Sequence, residues 1–277
     1  MSEQRWIDEF AVISNYNMDP SDLVKKFKEV VLYDASDLDE ISKIIKNKYP
    51  KSICMENVGH SLSNYFHFVA NNYSSLPDRF HFLKSNVSPR HINEYDLKRK
   101  LESRGIIPLF NDRTFRDKPR KAYHLLPGYF IERNNSWFMQ ERKPRYFGTC
   151  NDLLEYLFTD PIKPEYLLFA PGGNYSVYAE NLKRYPLNFW NFLHHITSYS
   201  FFPPEAYIVE RLLFVIFSSE YELREDNFDE YWREKLESRV KVINAKTNGT
   251  HNSEVRAWLK RLLVSKIVFE LEKRNLI

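Results

Sequence analysis

Residues 56–91 read ENVGHSLSNYFHFVANNYSSLPDRFHFLKSNVSPRH. The pattern predicts loop, helix, turn, strand and a second polar loop. Ser61 is the expected N-cap of the helix. Leu62, Tyr65, Phe66 and Val69 then recur at i, i+3, i+4 and i+7, the spacing of one buried stripe. Ser74-Ser75-Leu76-Pro77-Asp78 breaks the helix, and Phe80 and Phe82 alternate with His81 and Leu83 in a short strand. That strand runs into Lys84-Ser85-Asn86 and, a few residues on, Arg90-His91. Ligands of open α/β sheets bind beyond the carboxyl ends of the strands. Both polar loops are therefore expected on a ligand-binding edge.

Upstream, Phe10-Ala11-Val12-Ile13 reads as a first strand opening into the polar turn Ser14-Asn15-Tyr16-Asn17. Asp19 is expected to cap a helix with Pro20 at its first position. Val30-Val31-Leu32-Tyr33 is a second strand ended by Asp34, and Ser36 with Asp39 resembles a capping box. Leu38, Ile41, Ile44 and Ile45 form the stripe of the next helix, and Ser52–Met55 is a third strand. Alternating strands and helices argue an α/β fold with a doubly wound, mostly parallel sheet flanked by helices, in a nucleotide-binding layout.

Downstream the periodicity weakens from Ile92 to Gly148, where Pro108, Pro119, Pro127 and Pro144 predict short helices and loops: a lid or substrate-binding insertion, or plain surface connection. Asn151–Phe158 reads as a helix and Tyr166–Phe169 as a strand. Gly172-Gly173 reads as a close backbone approach or a tight turn before a further strand, Asn174–Tyr178. Leu187–Ser198 is an aromatic helix. Pro203-Pro204 starts another, apolar on nearly every face, in which Glu210 shares a face with Leu213, Phe214 and Phe217. Two charged amphipathic helices follow from about Asn227, the last beginning at Asn252 or Ser253.

Composition narrows the function classes. The 21 Phe, 18 Tyr and 5 Trp suit a packed core and also a cleft that stacks flat rings such as nucleobases or sugars. With 7 Gly and neither GxGxxG nor GxxxxGK[ST], Gly-rich phosphate loops are nearly excluded. A net charge of +3 with interspersed signs gives no nucleic-acid face; the basic run Arg113–Lys121 is short and contains Asp117. Cys54 and Cys150 make neither a disulfide framework nor a zinc site, which fits a reducing, cytoplasmic setting. No signal peptide is read at the N-terminus, and no run approaches the roughly 18 apolar residues of a membrane span.

The elements FAVISNYN, ENVG followed by YFHFVANNYSSLPD, and the strand F-x-F-L-K resemble a family of uncharacterised GT-A-like glycosyltransferase domains of bacterial, fungal and large-virus glycan assembly. The later motifs read Gly172-Gly173-Asn174-Tyr175, Lys183-Arg184-Tyr185-Pro186 and Glu210-Arg211, so the match spans about residues 10–220. The resemblance implies a GT-A-like domain over 1–220, with residues 1–91 as nucleotide-binding half and 92–220 as acceptor half. Residues 221–277 would be a helical extension packed on it. It implies transfer of a hexose or pentose from a nucleotide-sugar donor to a glycan acceptor. The chain departs from the family where a metal-binding D-x-D should follow the strand: Lys84-Ser85-Asn86 stands there. Lysine would neutralise phosphate charge without a metal, and Arg90 would help bidentately. The cofactor thus stays open between none and a divalent cation (Mn or Mg), with Asp112 as a displaced-ligand candidate.

In this reading Ser14, Asn15 and Tyr16 line the base pocket and Asp34 accepts from ribose or base. Asn57 and Gly59 approach the donor, Lys84, Asn86, Arg90 and His91 meet its phosphates, and Gly172, Gly173, Asn174 and Tyr175 face the acceptor. Glu210 is the first choice for a base, ahead of Glu205, because a carboxylate on an apolar face needs a partner or a role. Each has a structural competitor: an ion pair for Glu210, turn roles for Asp34 and Gly59, an ordinary loop for residues 14–16. His67 and His81 read as packing residues; His194-His195 read as acceptor contacts or surface histidines. Two other functions fit the pattern: a non-catalytic nucleotide-sugar or carbohydrate-binding module, and a different nucleotide-dependent transferase.

Overall fold

The computed structural model describes residues 7–111, 122–123, 129–134 and 143–246. Side-chain alternation along β1 (Ile7–Asn15) decides which layer each neighbour occupies. Val12 packs into one apolar cluster with Tyr33, Tyr65, Phe66, Phe80 and Phe82, while Ala11 and Ile13 pack into a second with Leu23, Leu32, Ile41 and Leu83. The sheet between them contains β2 (Phe27–Asp34), β3 (Ile53–Cys54), β4 (Arg79–Lys84), β5 (Ile107–Pro108) and β9 (Tyr175–Tyr178), in the order β3-β2-β1-β4-β9-β5. Strands β3, β2, β1 and β4 run parallel; β9 runs antiparallel to both β4 and β5. The protein is α/β, with a mostly parallel, mixed six-stranded sheet flanked by helices.

On one face lie α1 (Ser21–Val24), α2 (Asp39–Lys48) and α5 (Glu94–Leu101), contributing Leu23, Ile41, Ile45, Leu97 and Leu101. The other face carries α3 (His60–Asn71), α6 (Cys150–Leu157), α8 (Leu187–Ser198) and α9 (Pro204–Ser218), whose aromatic residues build the larger core. The connectors α4 (Val87–Arg90) and α7 (Ala179–Lys183) follow β4 and β9. A second, antiparallel sheet has the order β6-β7-β8, formed by Ala122–Tyr123, Phe130–Arg133 and Tyr166–Phe169. Phe228 and, on α10 (Trp232–Lys246), Trp232 and Leu236 pack into the larger core. No helix among the described residues is long and apolar enough to cross a membrane.

Several local expectations are corrected. Ser14 and Asn15 end the first strand rather than opening the turn. The helix after Asp19 is a single turn with Pro20 as N-cap, although Asp19 Oδ1 does accept the Ser21 N–H at 3.0 Å. No capping box forms at α2: its N-cap is Leu38, and Ser36 turns back to Asp34. Nor does Ser61 cap α3. That position is Gly59, at φ +63°, a left-handed conformation that glycine adopts without strain. The Tyr166–Phe169 strand joins the small sheet, the following strand starts at Tyr175 rather than Asn174, and part of the 92–148 stretch forms strands as well as a helix. Asp112, the Arg113–Lys121 run and the helix expected near residue 252 lie outside the described residues.

Candidate functional site

The carboxyl ends of the parallel strands come together as expected, but the pleat divides their side chains between two networks. Ser14 is the register partner of Tyr33 and Lys84; Asn15 is the partner of Asp34, which in turn pairs with Cys54. Register partners in parallel strands point the same way, so Ser14 and Lys84 share one face and Asn15 and Asp34 the other.

In the first network, Asp34 Oδ1 accepts from Asn15 Nδ2 (3.0 Å) and Ser36 Oγ (2.6 Å). Asn15 is fully buried and Asp34 nearly so, so both are internal to the strand tips. The exposed acid here is Asp37, unremarked in the sequence reading, whose Oδ2 accepts from Tyr16 OH (2.8 Å) and Asn57 Nδ2 (2.9 Å). Asn17 Oδ1 fixes this loop by accepting the N–H groups of Asp37 (2.9 Å) and Leu38 (3.1 Å). Tyr16 and Asn57 are thus brought to one carboxylate at the rim. Gly59 sits apart from them: a Cβ there would lie 2.8 Å from the carbonyl carbon of Thr197 on α8 and closer still to its oxygen, so its role is close helix packing.

The second network centres on the turn Ala170–Gly173. Gly172 and Gly173 have φ of +86° and +66°, and the Gly173 N–H returns to the Ala170 carbonyl at 3.0 Å. Two long-range bonds fix the turn: Ser61 Oγ donates to the Gly172 carbonyl (2.9 Å), and the Gly172 N–H donates to Glu210 Oε1 (2.7 Å). Asn174 Oδ1 accepts the Lys84 N–H at 2.8 Å, which ties the turn to the tip of β4. Tyr175 is fully buried, its hydroxyl accepting the Ala170 N–H at 2.7 Å, and burial pushes its phenol well above the usual range. It supports the turn from inside the core. Nearby, Asn64 Nδ2 on α3 donates to Ser14 Oγ at 2.8 Å. Asn86 is the half-buried N-cap residue of α4, Arg90 is exposed, and His91 is half-buried.

Glu210, expected to be buried, keeps 19% of its side chain exposed. Besides the Gly172 N–H it meets Arg211 Nη1, 3.5 Å from its Oε2; Arg211 itself is buried against Glu132 at 2.8 Å. Glu205 has a different setting: its Oε1 accepts the N–H groups of Arg145 (2.8 Å), Tyr146 (2.6 Å) and Phe147 (3.2 Å), and its Oε2 accepts from Tyr199 OH (2.6 Å). That is the geometry of a structural anchor. His67 accepts from or donates to Tyr33 OH (3.0 Å), His81 is fully buried against Ser176 (2.7 Å), and His195 lies 3.1 Å from Tyr146 OH. Among the described residues, no group of three or more His, Cys, Asp and Glu side chains stands close enough to hold a metal ion.

Chemically, the edge offers hydrogen-bonding groups around Asp37, the Lys84 side chain against the Gly172 turn, and a partly exposed carboxylate, Glu210, bonded to that turn. The sequence reading missed Asp37, Asn64 and the Ser61–Gly172 link. None of these carried a local sequence signal, because each is set by a contact between segments distant in the chain. No protein-family model, no curated protein and no solved structure matches the chain.

Proposed function

We propose that the chain is a glycosyltransferase with a GT-A-like sheet, moving a sugar from a nucleotide-sugar donor to a glycan acceptor in the cytoplasm. The observation carrying this reading is the convergence of Ser14, Lys84, Ser61, Gly172 and Glu210 at the carboxyl edge of the parallel strands, where α/β sheets take their ligands. The nucleoside would lie towards Tyr16, Asp37 and Asn57, with Tyr16 offering a ring to the base. Lys84 would meet the diphosphate and offset the charge that develops on it as the glycosidic bond breaks. Glu210 Oε1 is committed to the Gly172 N–H, so Oε2 is the atom that would take the acceptor's hydroxyl proton.

A panel of nucleotide sugars, with and without manganese, tests this by thermal shift and by donor hydrolysis or transfer. At least one donor should raise the unfolding temperature and be turned over; no shift with any donor would refute the reading. A second reading, a nucleotide-sugar-binding module without turnover, is favoured by the engagement of both Glu210 oxygens, by Gly172 and Arg211. It predicts a thermal shift without chemistry.

A further inference from the structure

We infer that Glu132, carried on the second sheet, is a positioning residue of the site: it holds the Arg211 guanidinium back from Glu210 and so leaves Glu210 Oε2 able to take a proton. The inference deepens the proposed function and rests on it for the use of Oε2 as a base; the restraint on Arg211 stands on geometry alone.

Three neighbours fix the guanidinium. Glu132 of β7 accepts its Nε–H at 2.8 Å, and the Tyr207 carbonyl, one turn back on α9, accepts from Nη1 at 3.1 Å. The rings of Phe169 and Tyr207 lie 4.8 and 5.7 Å from its Cζ. Glu132 and Arg211 are each 4% exposed, so water has little access to their contact. Adjacent residues of a helix point about 100° apart, and Arg211 reaches Glu210 only by bending towards it. It stops with Nη1 3.5 Å from Oε2, at the outer limit of a hydrogen bond. An arginine drawn fully onto a carboxylate grips it with two nitrogens at about 2.8 Å. A carboxylate held that way is a poor base, because the contact favours its charged form.

One guanidinium thus stands between two carboxylates. Burial pushes the Glu132 carboxyl up, Arg211 pulls it back, and the charge of Glu210 adds to the rise, so the three groups form one electrostatic unit. The buried acid takes the tight contact and the partly exposed acid the loose one. Glu210 is left with the Gly172 N–H on Oε1 and a loosely placed cation beside Oε2. Without the charge of Glu132, Arg211 would turn to the carboxylate that remains beside it.

The test reads the Gly172 amide, which donates to Glu210 Oε1 and so reports the charge on that carboxylate. The full chain, isotope-labelled at its 7 glycines, is compared by NMR with two variants. In Glu132→Gln the Gly172 amide proton should move upfield and exchange faster with solvent. Turnover of whichever donor the nucleotide-sugar panel identifies should fall about tenfold or more, part of what a general base supplies, with donor KM unchanged. In Glu132→Leu combined with Arg211→Met, which leaves no buried charge unpaired, the same proton should move downfield of wild type. Thermal unfolding shows whether Glu132→Gln folds; where it does not, the double variant decides. An unmoved Gly172 signal in a folded variant, or shifts of the same sign in both, overturns the inference. Wild-type turnover by Glu210→Gln, alongside the two opposed shifts, sustains the restraint on Arg211 and removes Glu210 as base. Loss of turnover in Glu210→Gln, with Gly172 unmoved in both Glu132 variants, does the reverse.

Discussion

Substitution of Glu210 by glutamine and by alanine separates its two roles. Glutamine keeps the shape and an amide oxygen that can still accept the Gly172 N–H, now 2.7 Å from Oε1. What it loses is the charge and the capacity to take a proton. Arg211, 3.5 Å from Oε2, retains its buried partner Glu132 at 2.8 Å, so the pair lost is secondary and should cost about 1 kcal/mol or less. Alanine also strips the acceptor from a buried turn, which adds about 1–3 kcal/mol for the unsatisfied N–H. Denaturant midpoints should therefore rank wild type close to Glu210→Gln, with Glu210→Ala clearly lower. Turnover should fall in both, by about 100- to 10,000-fold if Glu210 is the base, equivalent to roughly 3–5 kcal/mol of barrier. Donor affinity of Glu210→Gln should stay near wild type, because the Gly172 turn is preserved. Wild-type turnover by Glu210→Gln would remove Glu210 as the base. An alanine variant as stable as the glutamine one would refute the assignment of the turn's anchor.

Two further outcomes are expected. Gly59→Ala must place a side chain at φ +63° and within 2.8 Å of the Thr197 carbonyl carbon; left-handed strain of about 1–2 kcal/mol plus overpacking of about 1–3 kcal/mol should lower urea stability markedly, and a loss under about 0.5 kcal/mol would rule out so close an approach of α3 to α8. Acid should also loosen that helix pair: His67 and His194 face each other at 5.6 Å between ring centres. Burial holds both imidazoles down, His194 to about 4 with the charges of His67 and His195 adding to the effect. The unfolded chain binds these protons near pH 6.5, so their contribution is complete above that pH and is lost as pH falls towards 4. His194→Asn should flatten the melting temperature over this window, and an unchanged slope would discount the pair.

What was legible in the sequence follows from the range of the signals. Helix α3 and the alternation of Phe80 and Phe82 were readable because burial on one face imposes a local period, and α9 because its apolar run covers nearly every face. The insertion of β9 between β4 and β5 was not, since a strand's apolar pattern says nothing about its partner. Two-residue strands such as Ile107–Pro108 are too short to carry any period. Ser61 misled for a related reason: a serine before an apolar stripe usually caps its helix, but here its hydroxyl is used on Gly172, more than a hundred residues away in the chain. The same distance hid the meeting of Gly172 with Lys84.

The division of the strand tips by the pleat explains why polar residues there serve such different ends. Asn15 and Asp34 point to the face that the α1 and α2 connections cover, and their mutual bond seals them inside. The enclosed carboxylate holds Ser36 at 2.6 Å; the Ser36 hydroxyl in turn accepts the Asn17 N–H at 2.9 Å, and Asn17 fixes the N–H groups of Asp37 and Leu38. Asp37 is thereby presented to Tyr16 and Asn57 on a supported loop. Ser14 and Lys84, one register position from that network, fall on the opposite face, against α3 and the Gly172 turn. One edge therefore carries hydrogen-bonding groups at β1–β2 on one face and Lys84 at the tip of β4 on the other.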